Sequence, residues 1–300
     1  MEWRRYIRQF LTPNKKLIIL NYHQVSPRFD TLTNGKYIWN ELSFFTCQLE
    51  FLKKNFTILS LTEAVAQLRE NRIHETIIAL TFDDADKSVT EYIMPALSQL
   101  NIPATFFVNT AYPLEKPGYW FNAASYFSAR NLPLNSAELR EIRNTTEPEV
   151  YKRLNEKVDS ALHLLLDKSN LFYSDYEVLR NTTGNLFHFG LHGHEHLRFS
   201  MLTEEEQRAN LQKNISALQS WHNYVPFFAI PFGKPKDWNK TTIRLCKELS
   251  VIPLLANTGY NVKYQLPLMR FSVDGIDLKD LFQALSPFPR KYYKLNSLVN

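Results

Sequence analysis

Thr76-Ile77-Ile78-Ala79-Leu80-Thr81-Phe82-Asp83-Asp84 is the stretch on which the reading of this 300-residue chain turns. Its first seven residues form an apolar, β-branched run of strand length that stops at two adjacent carboxylates. A run without polar alternation is the pattern of a strand buried on both faces, as in a parallel sheet. The same pattern recurs, giving expected strands at Leu17–Tyr22, Ile77–Phe82, Ala104–Asn109, Phe187–Leu191, Phe227–Pro231, Val251–Ala256 and Leu268–Val273. Helical spacing fills intervals at Thr62–Glu70, Val89–Leu100, Thr203–Trp221 and Lys240–Glu248, the third opened by the capping pair Thr203 and Glu206. Strands alternating with helices predict a parallel sheet with crossover helices, either an open doubly wound sheet or a closed barrel. Residues 111–186 break that rhythm. They begin with Tyr112, Tyr119, Trp120 and Phe121, turn helical and charged over Ser136–Lys168, and read as an insertion within a single domain spanning residues 1–300. Such connections wall the active sites of parallel α/β folds.

A chain of this length buries roughly three quarters of its unfolded surface without needing a disulfide. With 44% hydrophobic and 22% charged residues it is neither disordered nor collagenous. Two cysteines, Cys47 and Cys246, exclude a disulfide scaffold and a Cys-rich zinc module. The net charge of +5 is uneven: residues 1–16 hold +4 and residues 290–300 hold +3, leaving −2 for the body between. A nucleic-acid enzyme carries its basic charge on the working surface, so no nucleic-acid partner is expected. No stretch approaches the ~18 apolar residues of a membrane span. The N-terminus lacks the pattern of a secretory signal, which makes the cytoplasm the expected location. Trp3, Tyr6, Ile7, Phe10 and Leu11 lie on one helical stripe, with Arg4, Arg5 and Arg8 mostly off it. Such a stripe docks on the domain's own core, or it gives residues 1–12 a peripheral contact with the inner membrane face.

The chemistry gathers where strands end. Adjacent carboxylates repel, so Asp83 and Asp84 are costly to hold together unless a cation neutralises one. One can then bind a metal while the other stays free as a base. A lone pair of this kind is more often a cap for the next helix. The second cluster is His192-Gly193-His194-Glu195-His196, after the apolar run Leu186–Leu191. His192 and His196 at i, i+4 share a face in helical or extended backbone, and His194 joins them only if the segment is extended. Two imidazoles and a carboxylate suit a divalent metal with room left for water and substrate. Which two histidines bind is left open. His163 and His222 fall in helical patterns as polar-face residues. His23 follows the strand Leu17–Tyr22 on the same sheet edge as the Asp pair, placed for acid–base work or as a satisfied strand-end histidine.

Together these residues resemble the polysaccharide deacetylase family, the NodB-homology domain of carbohydrate esterase family 4. Thr81–Asp84 and Met94-Pro95 with Leu100-Asn101-Ile102-Pro103-Ala104-Thr105-Phe106-Phe107 look like its first motif and second strand. His192 and His196 followed by Leu202–Glu206 look like its histidine motif, and Phe228–Gly233 like its third. The resemblance spans about Leu17 to Val273. It implies a distorted (β/α)7 barrel with a helical insertion, acting as a metal-dependent hydrolase on N-acetyl amino sugars of a polysaccharide, oligosaccharide or glycan precursor. By position, Asp83 is then the general base, and Asp84, His192 and His196 the ligands of a divalent metal, zinc first with cobalt or nickel fitting. Pro231 and Phe232 form the substrate and oxyanion turn, the Phe232 N–H bearing on the developing charge. Trp120 is one of several aromatics, with Tyr119, Phe121, Phe232 and Trp238, for stacking on sugar.

Three departures qualify the match. No Arg stands among Phe228, Ala229 and Ile230, no His follows His222, and Glu195 occupies a position where a small hydroxyl residue is common. A branch of the family with an N-terminal Tyr-His motif supplies both missing groups. Tyr22-His23-Gln24-Val25 resembles that motif, making His23 the acid, and Pro267-Leu268-Met269-Arg270 gives Arg270 to orient Asp83. The rival readings are a deacylase of a lipid-linked or small N-acyl compound, and a non-catalytic glycan binder.

Overall fold

The computed structural model describes residues 15–29, 38–111, 173–256 and 259–276, with Leu281 and Leu285. The N-terminal stripe (residues 1–12), Trp120 with its aromatic neighbours, and residues 112–172 of the expected insertion lie outside the described residues. In chain order, β1 (Lys16–Tyr22) is followed by the short strands β2 (Gln24–Ser26) and β3 (Trp39–Glu41), then α1 (Leu42–Asn55), β4 (Thr57–Ile58) and α2 (Leu61–Arg69). Next come β5 (Thr76–Phe82), α3 (Met94–Gln99), β6 (Ala104–Val108), α4 (Tyr176–Arg180) and β7 (Phe187–Leu191). The chain continues with α5 (Glu204–Leu218), β8 (Tyr224–Ala229), α6 (Lys240–Glu248), β9 (Ile252–Leu255) and β10 (Leu268–Ser272).

All seven expected strands form. β1 pairs in parallel with β5 on one side and with β10 on the other, which closes the order β1-β5-β6-β7-β8-β9-β10 into a barrel. Of the two architectures left open by the strand–helix alternation, the closed one is realised. Its distortion is visible on β5. β4 pairs with the lower residues Ile77 and Ile78, and β6 pairs with Leu80–Phe82 above them.

The strands are apolar throughout because both faces are covered. Leu20, Tyr22, Leu80 and Phe82 face outward onto Phe45, Leu49 and Leu52 of α1, and Tyr22 stacks on Phe82 at 5.3 Å. Leu17, Ile19, Ile77, Ala79, Phe227, Leu254 and Leu268 form a second cluster with the apolar side of α2. The helix expected over Val89–Leu100 begins with a π turn, Val89–Ile93. Pro95 lacks the N–H that an α turn needs there, so the ladder is interrupted. Thr203 and Glu206 form the expected capping box of α5. His222 lies beyond that helix, in an exposed turn, so its helical assignment is corrected. Tyr173 and Ser174 pair with Asp86 and Ala85, which fastens the chain's return from residues 112–172 beside the Asp pair. Among the described residues, no helix is long and apolar enough to cross a membrane.

Candidate metal and catalytic centre

The strands deliver their C-terminal ends to one mouth of the barrel. β5 gains one further ladder bond, Asp83 N–H to Tyr22 O at 3.0 Å, which keeps Asp83 in register and facing inward. There it meets Arg270 of β10, which is wholly buried. Arg270 Nη1 and Nη2 donate to Asp83 Oδ1 and Oδ2 at 2.7 and 2.8 Å. Nη1 also donates to Asn21 Oδ1 at 2.9 Å, and Nε to Leu255 O at 3.3 Å. Burial alone would raise the Asp83 pKa. The Arg270 charge and its hydrogen bonds outweigh it and hold the carboxyl well below the usual range.

Asp84 turns away from the strand with φ +73°, and Ala85 follows at +50°. Its Oδ1 lies 3.3 Å from His192 Nε2 and 3.4 Å from His196 Nε2. The donor atoms of these three buried residues all fall within 4.8 Å of one another. His192 and His196 do meet, but not through the periodicity that suggested it. The segment is neither helix nor strand; it bends at Gly193 (φ +75°) and again at His196 (φ +52°). A Cβ at Gly193 would sit 3.0 Å from Asn210 Oδ1. His194 is turned elsewhere, its Nδ1 2.9 Å from Thr110 Oγ1 and its N–H donating to Asn210 Oδ1. Backbone groups of this irregular loop are satisfied from outside it: Asn109 Nδ2 donates to His192 O and Gly193 O, and Asn214 Oδ1 accepts from His192 N–H. Glu195 meets α5 through Asn210, with Nδ2 3.5 Å from its Oε2, and stands outside the ligand trio.

His23 arrives from β1, with Nε2 3.8 Å from Asp83 Oδ2. Its partner was not foreseen. Asp274 Oδ2 lies 2.6 Å from His23 Nδ1, and its Oδ1 accepts from His23 N–H at 3.1 Å. Asn40 of β3 donates to that same Oδ1 at 2.9 Å and accepts from Gly275 N–H. Burial would lower the His23 pKa, but Asp274, with Asp83 behind it, raises it to about 10. The signal for Asp274 was present in the spacing. Arg270, Ser272 and Asp274 alternate along β10 and its extension, where period two places them on one face.

Phe232 has φ +60° and Gly233 φ +61°, and Gly233 N–H donates to Pro231 O at 2.7 Å, a γ-turn centred on Phe232. Gly233 is required there, since a Cβ would lie 2.2 Å from Ala256 N. The half-buried Phe232 ring stands edge-on to His196, centroids 4.8 Å apart. Arg198 covers the ring at 5.3 Å and pairs with buried Asp237 at 2.9 Å, tying the histidine loop to the β8–α6 loop. Trp238, expected to stack on sugar, instead packs against the apolar core.

Whether these residues fit a cation can be judged from His192. Its Nδ1 is 2.7 Å from Ala229 O, and a carbonyl only accepts, so Nδ1 carries the proton. In that tautomer Nε2 offers a lone pair, buried and without a hydrogen bond, toward the Asp84 carboxylate. His196 is neutral, because burial pushes its pKa down to about 4 despite the attraction of Asp84. Acceptors converging on one another repel unless a positive charge lies between them. The donor set fits a divalent cation.

The polysaccharide deacetylase family model matches residues 70–252. No curated protein sequence matches the chain. Among solved structures, the Streptococcus pyogenes deacetylase PplD in complex with acetate shares 17% identity at a TM-score of 0.58, over 92% of this chain and 100% of that one. IcaB from Ammonifex degensii shares 18% at 0.56, over 87% and 93%. A de-N-acetylase from Aggregatibacter actinomycetemcomitans shares 13% at 0.61, over 90% and 99%. At such identities these likenesses bear on the fold, and the fold agrees. With a family match over more than half its length and the parallel barrel that the family's motifs imply, this chain belongs to the polysaccharide deacetylase family.

Proposed function

We propose that the protein hydrolyses the acetamide of N-acetyl amino sugars in a glycan or glycan precursor, with Asp83 as base and His23 as acid. One observation carries this reading. Asp83 Oδ2 lies 3.8 Å from His23 Nε2 and 3.8 Å from His192 Nε2, so a carboxylate, a protonated imidazole and the ligand trio surround one gap. Asp84, His192 and His196 would hold the cation, zinc suiting two imidazoles and a carboxylate and cobalt or nickel accepting the same donors. When bound it supplies Lewis-acid chemistry, drawing charge onto a carbonyl oxygen and making a water easier to deprotonate.

The chain's own groups do the rest. Arg270 keeps Asp83 ionised and fixed in orientation, ready to accept a proton. A carboxylate held this low is a weak base, and the cation that Asp84, His192 and His196 would hold would supply the more acidic water that such a base needs. His23 is protonated at neutral pH and presents Nε2–H toward the gap for the departing amine. Asp274 takes up Nδ1–H and keeps the ring oriented. The Phe232 N–H bears on the oxygen of the tetrahedral intermediate.

Acetate release tests this reading, using N-acetylglucosamine oligomers and lipid-linked N-acetyl sugars with and without chelator. Release that chelator abolishes and added zinc restores is expected. Metal binding with no release from any N-acyl sugar would make the protein a binder instead. The role of Asp274 has its own signature. In Asp274→Asn the support for the His23 proton is lost and its pKa falls from about 10 toward the ordinary value. Because His23 must be protonated to donate, the basic limb of the rate–pH profile moves to lower pH. A loss of rate uniform across pH would show that Asp274 only holds the loop.

A further inference from the structure

The buried face of α5 is not the apolar stripe that an amphipathic helix ordinarily turns inward. Beside Leu211 and Leu218 it buries Gln207, Asn210 and Asn214, spaced three and four residues apart on one side of the helix. A primary amide taken out of water costs stability unless its oxygen and N–H groups find partners. The partners of these three therefore show what the stripe is for. Gln207 is accounted for within the scaffold. Its Nε2 donates to Leu202 O at 3.1 Å and its Oε1 accepts from Thr242 Oγ1 at 2.8 Å, which fastens α5 to α6.

The other two reach the histidine loop. Asn214 Oδ1 accepts from His192 N–H at 3.0 Å, while its Nδ2 donates to Val108 O and Thr110 Oγ1 at 3.0 and 3.1 Å. Thr110 Oγ1 in turn lies 2.9 Å from His194 Nδ1. Asn210 Oδ1 accepts from His194 N–H at 2.8 Å, and its Nδ2 faces Glu195 Oε2 at 3.5 Å. The helix thus grips the loop at residues 192, 194 and 195, along the bend that brings His192 and His196 to Asp84. None of these bonds uses the ring nitrogens or the carboxylate oxygen that converge there.

We propose that Asn210 and Asn214 are positioning residues that hold His192 and His196 in place before any cation arrives, so that the buried face of α5 sets the affinity of the site. A loop without regular structure would otherwise be ordered by the cation itself, and the entropy lost would be taken from binding. With its backbone already bonded to a helix, the loop presents its donors in advance. His194 gains a part in this scheme: fixed to Thr110 and Asn210, it pins the middle of the bend and leaves ligation to its neighbours. The inference rests on Asp84, His192 and His196 as ligands, and not on the acetamide reaction.

Zinc titration of the full chain by calorimetry tests it. Asn214→Leu keeps the bulk but offers no acceptor, leaving His192 N–H with its longer bond to Val108 O at 3.3 Å. Zinc affinity is expected to fall about 10–100-fold, the usual effect of losing a group that orients a metal ligand. Asn214→Asp retains the acceptor and should bind zinc close to the wild-type level, even where it melts at a lower temperature. In chelator, the wild type should already protect the His192 and His194 amides from hydrogen exchange. Wild-type affinity in Asn214→Leu, an equal loss in Asn214→Asp, or amides that exchange freely until zinc is added would each overturn the proposal. Should circular dichroism show Asn214→Leu unfolded, Asn210→Ala is titrated in its place, and unchanged affinity there overturns it equally. A wild type that binds no zinc overturns the ligand set and this inference together, whereas a zinc-loaded chain that releases no acetate overturns the hydrolase reading alone.

Discussion

Asp83→Asn is expected to slow acetate release by about 10³-fold, within the range attributed to a positioned general base. The amide has the shape of the carboxylate and can still accept one Arg270 hydrogen bond, but it leaves the buried guanidinium without its counter-charge, so the rate is read on protein whose circular dichroism matches the wild type. What the amide lacks is an oxygen able to take a proton. Bound metal should stay at the wild-type level, because the three donors that converge are Asp84, His192 and His196. Rate and metal content measured on the same preparation separate the two roles. A fall of less than ten-fold would remove Asp83 as the base. A parallel loss of metal would place it among the ligands instead.

Arg270→Met carries the largest expected effect on stability. The guanidinium is fully buried and engages both oxygens of a buried carboxylate. Removing one partner of such a pair strands the other charge, at a cost of about 3–5 kcal/mol. The pH dependence has a definite sign. In the wild type the Asp83 pKa lies below its unfolded value. Its contribution is therefore present above the unfolded pKa of roughly 4 and is lost as pH falls through the folded one. Without Arg270, burial dominates and the folded pKa rises above the unfolded one. The deficit of the variant should then grow as pH rises from roughly 4 toward neutrality. Urea unfolding in chelator, at several pH values, measures this. Asp83→Asn in the Arg270→Met background should recover much of the loss, since no stranded charge remains. A deficit under about 1 kcal/mol at neutral pH, or one independent of pH, would sink the assignment.

The barrel was legible because parallel strands covered on both faces must be apolar throughout, and each such run ends in a break that the sequence displays. α1 was passed over although Phe45, Leu49 and Leu52 keep helical spacing, because no cap marks its start: Glu41 makes no side-chain cap bond. β2 and β3 are three residues each, too short to show a period. They matter all the same, since Asn40 of β3 holds Asp274. The ligand pair was legible from residue type, but the reason offered was incomplete. Spacing did not bring His192 and His196 together; a bend through Gly193 did, helped by side chains of α5 that no local pattern reveals. Arg270 was reached through resemblance and then found where it was needed. Asp274 was missed although its spacing from Arg270 and Ser272 puts it on their face, because that spacing does not name His23 as its partner until the two ends of the chain are folded together.

That distance in sequence bears on how the protein is made. His23 and Asp274 stand 251 residues apart, and Arg270 belongs to the last of the described strands to leave the ribosome. β1 is made first, yet one of its edges waits for β10 while the other takes β5. Until β10 is inserted, His23 has no carboxylate behind it and Asp83 has no guanidinium. A chain that stops short of β10 therefore lacks the groups on which the proposed acid and base depend. Closing the barrel and completing the proposed catalytic set are one event.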